Sequence, residues 1–367
     1  MYTQKIRFRN GVQARNSIAL APLTNLQSHP DGTLSEQEFK WLMRRVEGGF
    51  GIVETCAAYV SEEGKAWDGQ LGIAADSHEE GLKRLATAIK EAGACGIVQL
   101  YHGGTEATLA PDLKLSTVDD KEKGVRGATL ADIARVKDAF VAAALRAEKA
   151  GFDGIEVHGA NGYLFTQFLA PDTNPRTDDY GGDLAGRARL LRETVQAIRA
   201  VVSDDFIVGV RISPVDAWSQ RGLILKDGLQ LGKWLSEDGI DFLHLSLFQL
   251  TAAPRFEPEE EVVVRAFRAA LPKDLPIFGV GGVWTKEDAV EARKVGADVL
   301  VIGRAAIGNP DWPKNFMKQG FEPLRTPWTP EYLESVQVSE KFINYIKNFA
   351  GFVVGGRTNH SLSTKEE

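Results

Sequence analysis

Residues 154–182 read GIEVHGANGYLFTQFLAPDTNPRTDDYGG. The run opens as a strand in which Ile155 and Val157 alternate with Glu156 and His158, placing apolar side chains on one face and polar ones on the other. Taken singly, His158 passes for a hydrogen-bonded core histidine and the Ala-Asn-Gly that follows for a turn. The same two-faced pattern recurs elsewhere, however. Val98 and Leu100 oppose Gln99 and Tyr101; Val208, Val210 and Ile212 oppose Gly209, Arg211 and Ser213; Leu243 and Leu245 oppose His244 and Ser246.

These strands belong to a series of eight short apolar runs: residues 17–23, 51–57, 96–101, 154–158, 206–213, 241–247, 276–282 and 298–303. Amphipathic stretches separate them, among them EEGLKRLATAIKEAG, ADIARVKDAFVAAALRAEKAG, GRARLLRETVQAIRAVV and KEDAVEARKVG, several closed by the glycine expected just past a helix end. Strand and helix alternating eight times predict a parallel α/β fold that closes as a single (β/α)₈ TIM barrel, with a doubly wound sheet as the alternative. In a barrel the apolar strand faces meet the helices and the polar faces turn inward, sending Gln99, His158, Arg211 and His244 into the lumen. A lumen kept for stability alone is filled with Val, Ile and Leu. An unpaired buried polar group costs roughly 1–3 kcal/mol, so four of them near strand ends point to a polar ligand. An internal hydrogen-bond network is the competing account of any one of them.

The chain has 367 residues, 43% of them hydrophobic and 25% charged, with a formal charge of −7. Acidic and basic residues are mixed throughout, so no basic face for nucleic acid is expected. The N-terminal MYTQKIRFRN lacks an apolar signal core and no run reaches the ~18 apolar residues of a membrane span, which predicts a cytoplasmic protein. Cys56 and Cys95 have no CxxC spacing, arguing against zinc, iron–sulfur and disulfide frameworks. Any redox chemistry then needs an organic cofactor.

GVGGVW (279–284) and IGRAAI (302–307) follow the last two strands. Glycine turns that lead into helices let backbone N–H groups approach an anion, and barrels often bind phosphate there. Gly281, Gly282 and Gly303 supply the turns and Arg304 a charge-assisted contact. A ligand with a phosphate at one end and a hydrogen-bonding ring at the other fits flavin mononucleotide (FMN): Gln99 suits its pyrimidine edge, and Arg211 the negative charge that reduction places around N1 and O2.

From APLTN (21–25) through VQLYHGG, the 156–182 motif and VGVRIS to GVGG and IGR, the chain resembles the Old Yellow Enzyme family of FMN-dependent ene-reductases. The resemblance implies FMN contacts at Ala21, Pro22, Leu23, Thr24, Ala57, Gln99, Arg211, Gly281, Gly282, Gly303 and Arg304. It implies that His158 and Asn161 hold an electron-withdrawing oxygen of an activated alkene, beside Tyr101, and that Tyr163 gives the proton. NADH or NADPH would first reduce the flavin in the same pocket, leave, and be replaced by an α,β-unsaturated carbonyl or nitro compound, a ping-pong cycle in which hydride leaves flavin N5. It implies a small-molecule substrate and a possible homo-oligomer. Thr24 stands where one branch has a cysteine, HGGT (102–105) replaces HAGR, and Tyr101 stands where some members have tryptophan. A cysteine-rich extension of the dienoyl-CoA reductase kind is not expected, which disfavours that larger relative. Residues 103–127 are expected to form a lid after the third strand and 329–350 a C-terminal helix. Two other readings remain: a flavin-free sugar-phosphate aldolase or isomerase, although no strand carries a Schiff-base lysine, and a non-catalytic flavin carrier.

Overall fold

The computed structural model describes residues 2–109, 114–215, 222–255 and 261–357. Eight strands form one closed parallel barrel: β1 (Ile18–Leu20), β2 (Ile52–Glu54), β3 (Cys95–Tyr101), β4 (Gly154–Gly159), β5 (Ile207–Ile212), β6 (Phe242–Ser246), β7 (Ile277–Val280) and β8 (Val299–Ile302). Each pairs with the next, and β8 pairs back to β1. Seven crossover helices surround it: α1 (Glu36–Glu47), α2 (Glu79–Glu91), α3 (Leu130–Ala150), α4 (Leu184–Arg199), α5 (Leu225–Glu237), α6 (Val263–Ala270) and α7 (Lys286–Lys294). Helix α3 shows how sequence sets the ends. Thr129 accepts from the Asp132 N–H in a capping box, and Gly151 closes the helix at φ 92°.

The outward strand residues, including Val98, Leu100, Val157, Val208, Val210 and Leu243, join the helices in one large core. The lumen has two halves. Its lower half is apolar, filled by Ile52, Cys95, Ile97, Ile207, Phe242, Phe278 and Val299. A small antiparallel hairpin, Ile6–Arg7 with Gln13–Ala14, closes that end. Phe8 at its turn is 1% exposed and packs on Phe242 and Phe278 with ring centroids 6.0 and 6.1 Å away. The upper half is polar, and strand register brings its residues together: Gln99 lies opposite Glu156, and Arg211 opposite both His158 and His244.

One segment differs from expectation. Residues 329–350 are not one helix but two short ones, Pro330–Ser335 and Glu340–Ile346. Gln337 between them adopts φ 63°, which breaks a right-handed helix, and Ser339 caps the second. The described part of 103–127 is held against the turn after β4. Gln167 Oε1 accepts from the Thr105 N–H and the Ser116 hydroxyl, and its Nε2 donates to the Gly162 carbonyl. Among the described residues no helix is long and apolar enough to cross a membrane.

Candidate active site

At the C-terminal end of the barrel two cavities, of about 390 and 270 Å³, share Pro22, Leu23, Arg211 and Arg304. Every residue expected to contact the cofactor lines one or both. Thr24, Ala57 and Gln99 line the larger, Ala21, Gly281, Gly282 and Gly303 the smaller. Glycine is required at the β7 turn: Gly281 and Gly282 have φ of 152° and 70°, and a Cβ on Gly281 would sit 2.7 Å from the Leu247 carbonyl oxygen. Arg304 is exposed at this end, with no ion pair among the described residues. A third cavity, of about 480 Å³, opens beside Asn161 between Ser213, Leu223 and Phe248.

The polar groups at the larger cavity have their orientations forced by their neighbours. The Glu156 carboxylate can only accept, so Gln99 gives it Nε2 at 2.7 Å and turns its carbonyl oxygen towards the cavity. The Ala160 N–H donates to His158 Nδ1 at 3.3 Å, placing the proton of a neutral ring on Nε2. Burial, with the charge of Arg211, brings the His158 pKa down to about 3, so the ring is neutral at physiological pH. Arg211 Nη2 can only donate, and donates to Ser246 Oγ at 2.9 Å. Ser246 spends its own proton on Asn161 Oδ1, 3.0 Å away, leaving the Asn161 amide N–H groups for the cavity. Asn161 itself stands at φ 61°, with its N–H donated to Ser213 Oγ at 2.9 Å.

Tyr163 follows on the same turn and precedes the short helix Leu164–Leu169. Its ring lies edge-on to His158, with centroids 5.1 Å apart, and to Tyr101 at 4.6 Å. Burial raises its pKa, with the Tyr101 hydroxyl opposing the shift, so the phenol keeps its proton. His158, Asn161 and Tyr163 all line the cavity whose other wall is Gln99 and Arg211. The buried Arg211 Nε has no hydrogen-bond partner among the described residues. An orphaned cationic donor beside an acceptor carbonyl suits the pyrimidine edge of a flavin, whose N3–H donates and whose O2 accepts.

Tyr101, expected to touch substrate, is fully buried behind Tyr163 and Trp67 and does not line the cavity; Trp67 does. The outer wall, formed by Phe342, Tyr345, Ile346, Phe349 and Phe352, was not among the expected site residues. Tyr345 shares this cavity lining with Thr24. The 3–4–3 spacing of those aromatics was the available signal.

Glycine turns after the last two strands and a hydrogen-bonding slot beside a buried arginine suit a phosphate-bearing flavin. The pattern of the NADH:flavin oxidoreductase / NADH oxidase family matches residues 4–322. The chain is 35% identical over 326 residues to a probable NADH-dependent flavin oxidoreductase, YqiG, of Bacillus subtilis, spanning 86% of this chain and 87% of that one. It is 34% identical over 321 residues to an NADPH dehydrogenase of Bacillus pumilus, covering 86% and 93%. An Old Yellow Enzyme homologue from Zymomonas mobilis superposes with a TM-score of 0.76 at 26% identity, over 90% of this chain and 96% of that one. The chain belongs to the NADH:flavin oxidoreductase / NADH oxidase family. It is an NAD(P)H-dependent enzyme whose cofactor is FMN.

Proposed function

We propose that this enzyme reduces the activated C=C bond of α,β-unsaturated carbonyl or nitro compounds, in a ping-pong cycle at one pocket. The observation that carries the reading is the convergence of three proton-bearing groups, His158 Nε2, the Asn161 amide and the Tyr163 phenol, on the cavity that Gln99 and Arg211 also line. FMN, when bound, would supply the hydride chemistry that links NADH or NADPH to the alkene.

The protein's part is to bind, orient and protonate. The β7 and β8 turns with Arg304 would hold the phosphate end, the loop Ala21–Thr24 and Ala57 would meet the ring, and Gln99 and Arg211 would hold its polar edge. His158 and Asn161 donate to one carbonyl or nitro oxygen, drawing electron density from the C=C. Tyr163 delivers its proton to the carbon next to the activating group. Trp67 and the aromatic outer wall exclude water and offer apolar surface to the alkene.

Anaerobic assay of the FMN-loaded enzyme with a cyclic enone or nitroalkene tests this: NAD(P)H and alkene should be consumed in equal amounts, with parallel double-reciprocal lines. Flavin reduction without alkene turnover sinks it. Ser246→Ala removes the bond that sets the Asn161 amide, so affinity for a phenol, an oxygen-bearing mimic of the substrate, should fall by about 0.5–1.5 kcal/mol. Unaltered phenol titrations would show that Asn161 needs no such anchor.

A further inference from the structure

Beneath the site lies a sealed polar layer of which the mechanism uses only Gln99. Glu54 from β2, Gln99 from β3, Glu156 from β4 and His244 from β6 all point into the lumen and are at most 1% exposed. Two carboxylates in such a low-dielectric layer cannot both stay charged without enough cations and donors. Hydrogen bonding distinguishes them. Glu156 meets a donor on each oxygen, Gln99 Nε2 at 2.7 Å and His244 Nδ1 at 2.7 Å. Arg211, two residues along β5 from the position opposite Glu156, is the cation of the lumen. Glu54 meets no donor on either oxygen among the described residues, and its Oε2 stands 3.8 Å from the same His244 nitrogen. A carboxyl group so placed persists as the neutral acid.

We propose that Glu156 is the ionised counter-charge of Arg211 and thereby sets the reduction potential of the bound flavin, while Glu54 beside it is a neutral acid without that influence. The electrostatics agree with the geometry. Burial, then the neighbouring Glu156 charge, push Glu54 well above the usual carboxylate range and outweigh the opposite pull of Arg211. For Glu156, burial acts upward but is overcome by His244, Arg211 and Gln99, which hold it below that range. Reduction adds negative charge to the ring beside Arg211, and a fixed anion one layer lower cancels part of the field that favours it. The inference rests on the placement of the flavin's polar edge at Arg211.

The test is an anaerobic redox titration of the FMN-loaded wild type, Glu156→Gln, Glu54→Gln and Arg211→Ala against a dye of known potential, with flavin occupancy recorded. The amide in Glu156→Gln keeps the shape of the carboxylate, and His244 can adapt by moving its proton to the other ring nitrogen. Glu156→Gln should raise the reduced-to-oxidised ratio at fixed dye poise by roughly tenfold or more, since it removes a unit charge lying within about 12 Å at an effective dielectric near 20. Glu54→Gln should leave it in place, and Arg211→Ala should lower it. If Arg211→Ala lowers the ratio while Glu156→Gln does nothing, the counter-charge inference fails and the flavin placement stands. If Arg211→Ala has no effect at full occupancy, the placement itself fails. An equal shift in both glutamate variants overturns the division of roles. Infrared spectroscopy tests that division without relying on the Glu156→Gln variant: a protonated-carboxyl band should be present in wild type and lost in Glu54→Gln. Absence of the band overturns it. So does a stoichiometric divalent metal in the purified holoenzyme, since donor atoms of Glu54, Glu156 and His244 all lie within 4.8 Å of one another.

Discussion

Tyr163→Phe is expected to slow reduction of an enone by roughly 10²–10⁴, the usual contribution of general acid catalysis, while flavin reduction by NAD(P)H stays within a few-fold of wild type. A phenol whose pKa is raised by burial is a weak acid, suited to a carbon that becomes basic only as hydride arrives. That proton is needed only when the alkene is reduced. Phenylalanine keeps the ring, so the edge-on contacts with Tyr101 and His158 survive. Rapid-mixing kinetics separate the two half-reactions. Quinone reoxidation should be affected much less, because quinone oxygens take protons from solvent. Wild-type enone reoxidation in the variant would make Tyr163 a wall of the pocket.

His158→Ala and Asn161→Ala should each cost about 2–4 kcal/mol in enone reduction, the effect of removing one oxyanion donor from a preorganised pair. Both should also weaken phenol binding. The pH dependence distinguishes a neutral clamp from a charged one. His158, with its pKa brought down to about 3, stays neutral until the pH falls that far. It therefore adds no step to the phenol affinity of the wild type between pH 5 and 8. A step near pH 6.5 that disappears in His158→Ala would mean that an imidazolium holds the oxygen. Normal phenol affinity in both variants would remove the pair from the site altogether.

Sequence pattern alone revealed the barrel because alternation is a local property. The phase of Gln99 against Val98, or of Arg211 against Val210, already says which side chain meets the helices. The same phase put Tyr101 inward but was silent about Trp67, which reaches over it from a different loop. The outer wall was hidden for the same reason. Nothing near Thr24 announces that Tyr345 will line the same cavity. The single C-terminal helix failed at Gln337, where one left-handed residue interrupts an otherwise helical stretch. Glu156 was placed on the polar face without a role, and Glu54 went unremarked, because a carboxylate in a strand gains meaning only from its partner across the barrel. The glycines at 281 and 282 were legible because their backbone angles suit almost no other residue.

The hairpin that carries Phe8 makes the barrel a vessel with a floor. Below the polar layer the lumen is packed with Phe242, Phe278 and their neighbours, so small molecules must arrive and leave by the upper mouth. Electron donor and electron acceptor then compete for one doorway. High alkene concentrations should obstruct NAD(P)H, and high NAD(P)H should obstruct the alkene, through dead-end occupancy rather than through any separate inhibitory site. The floor thus makes the relative abundance of the two molecules a control on flux.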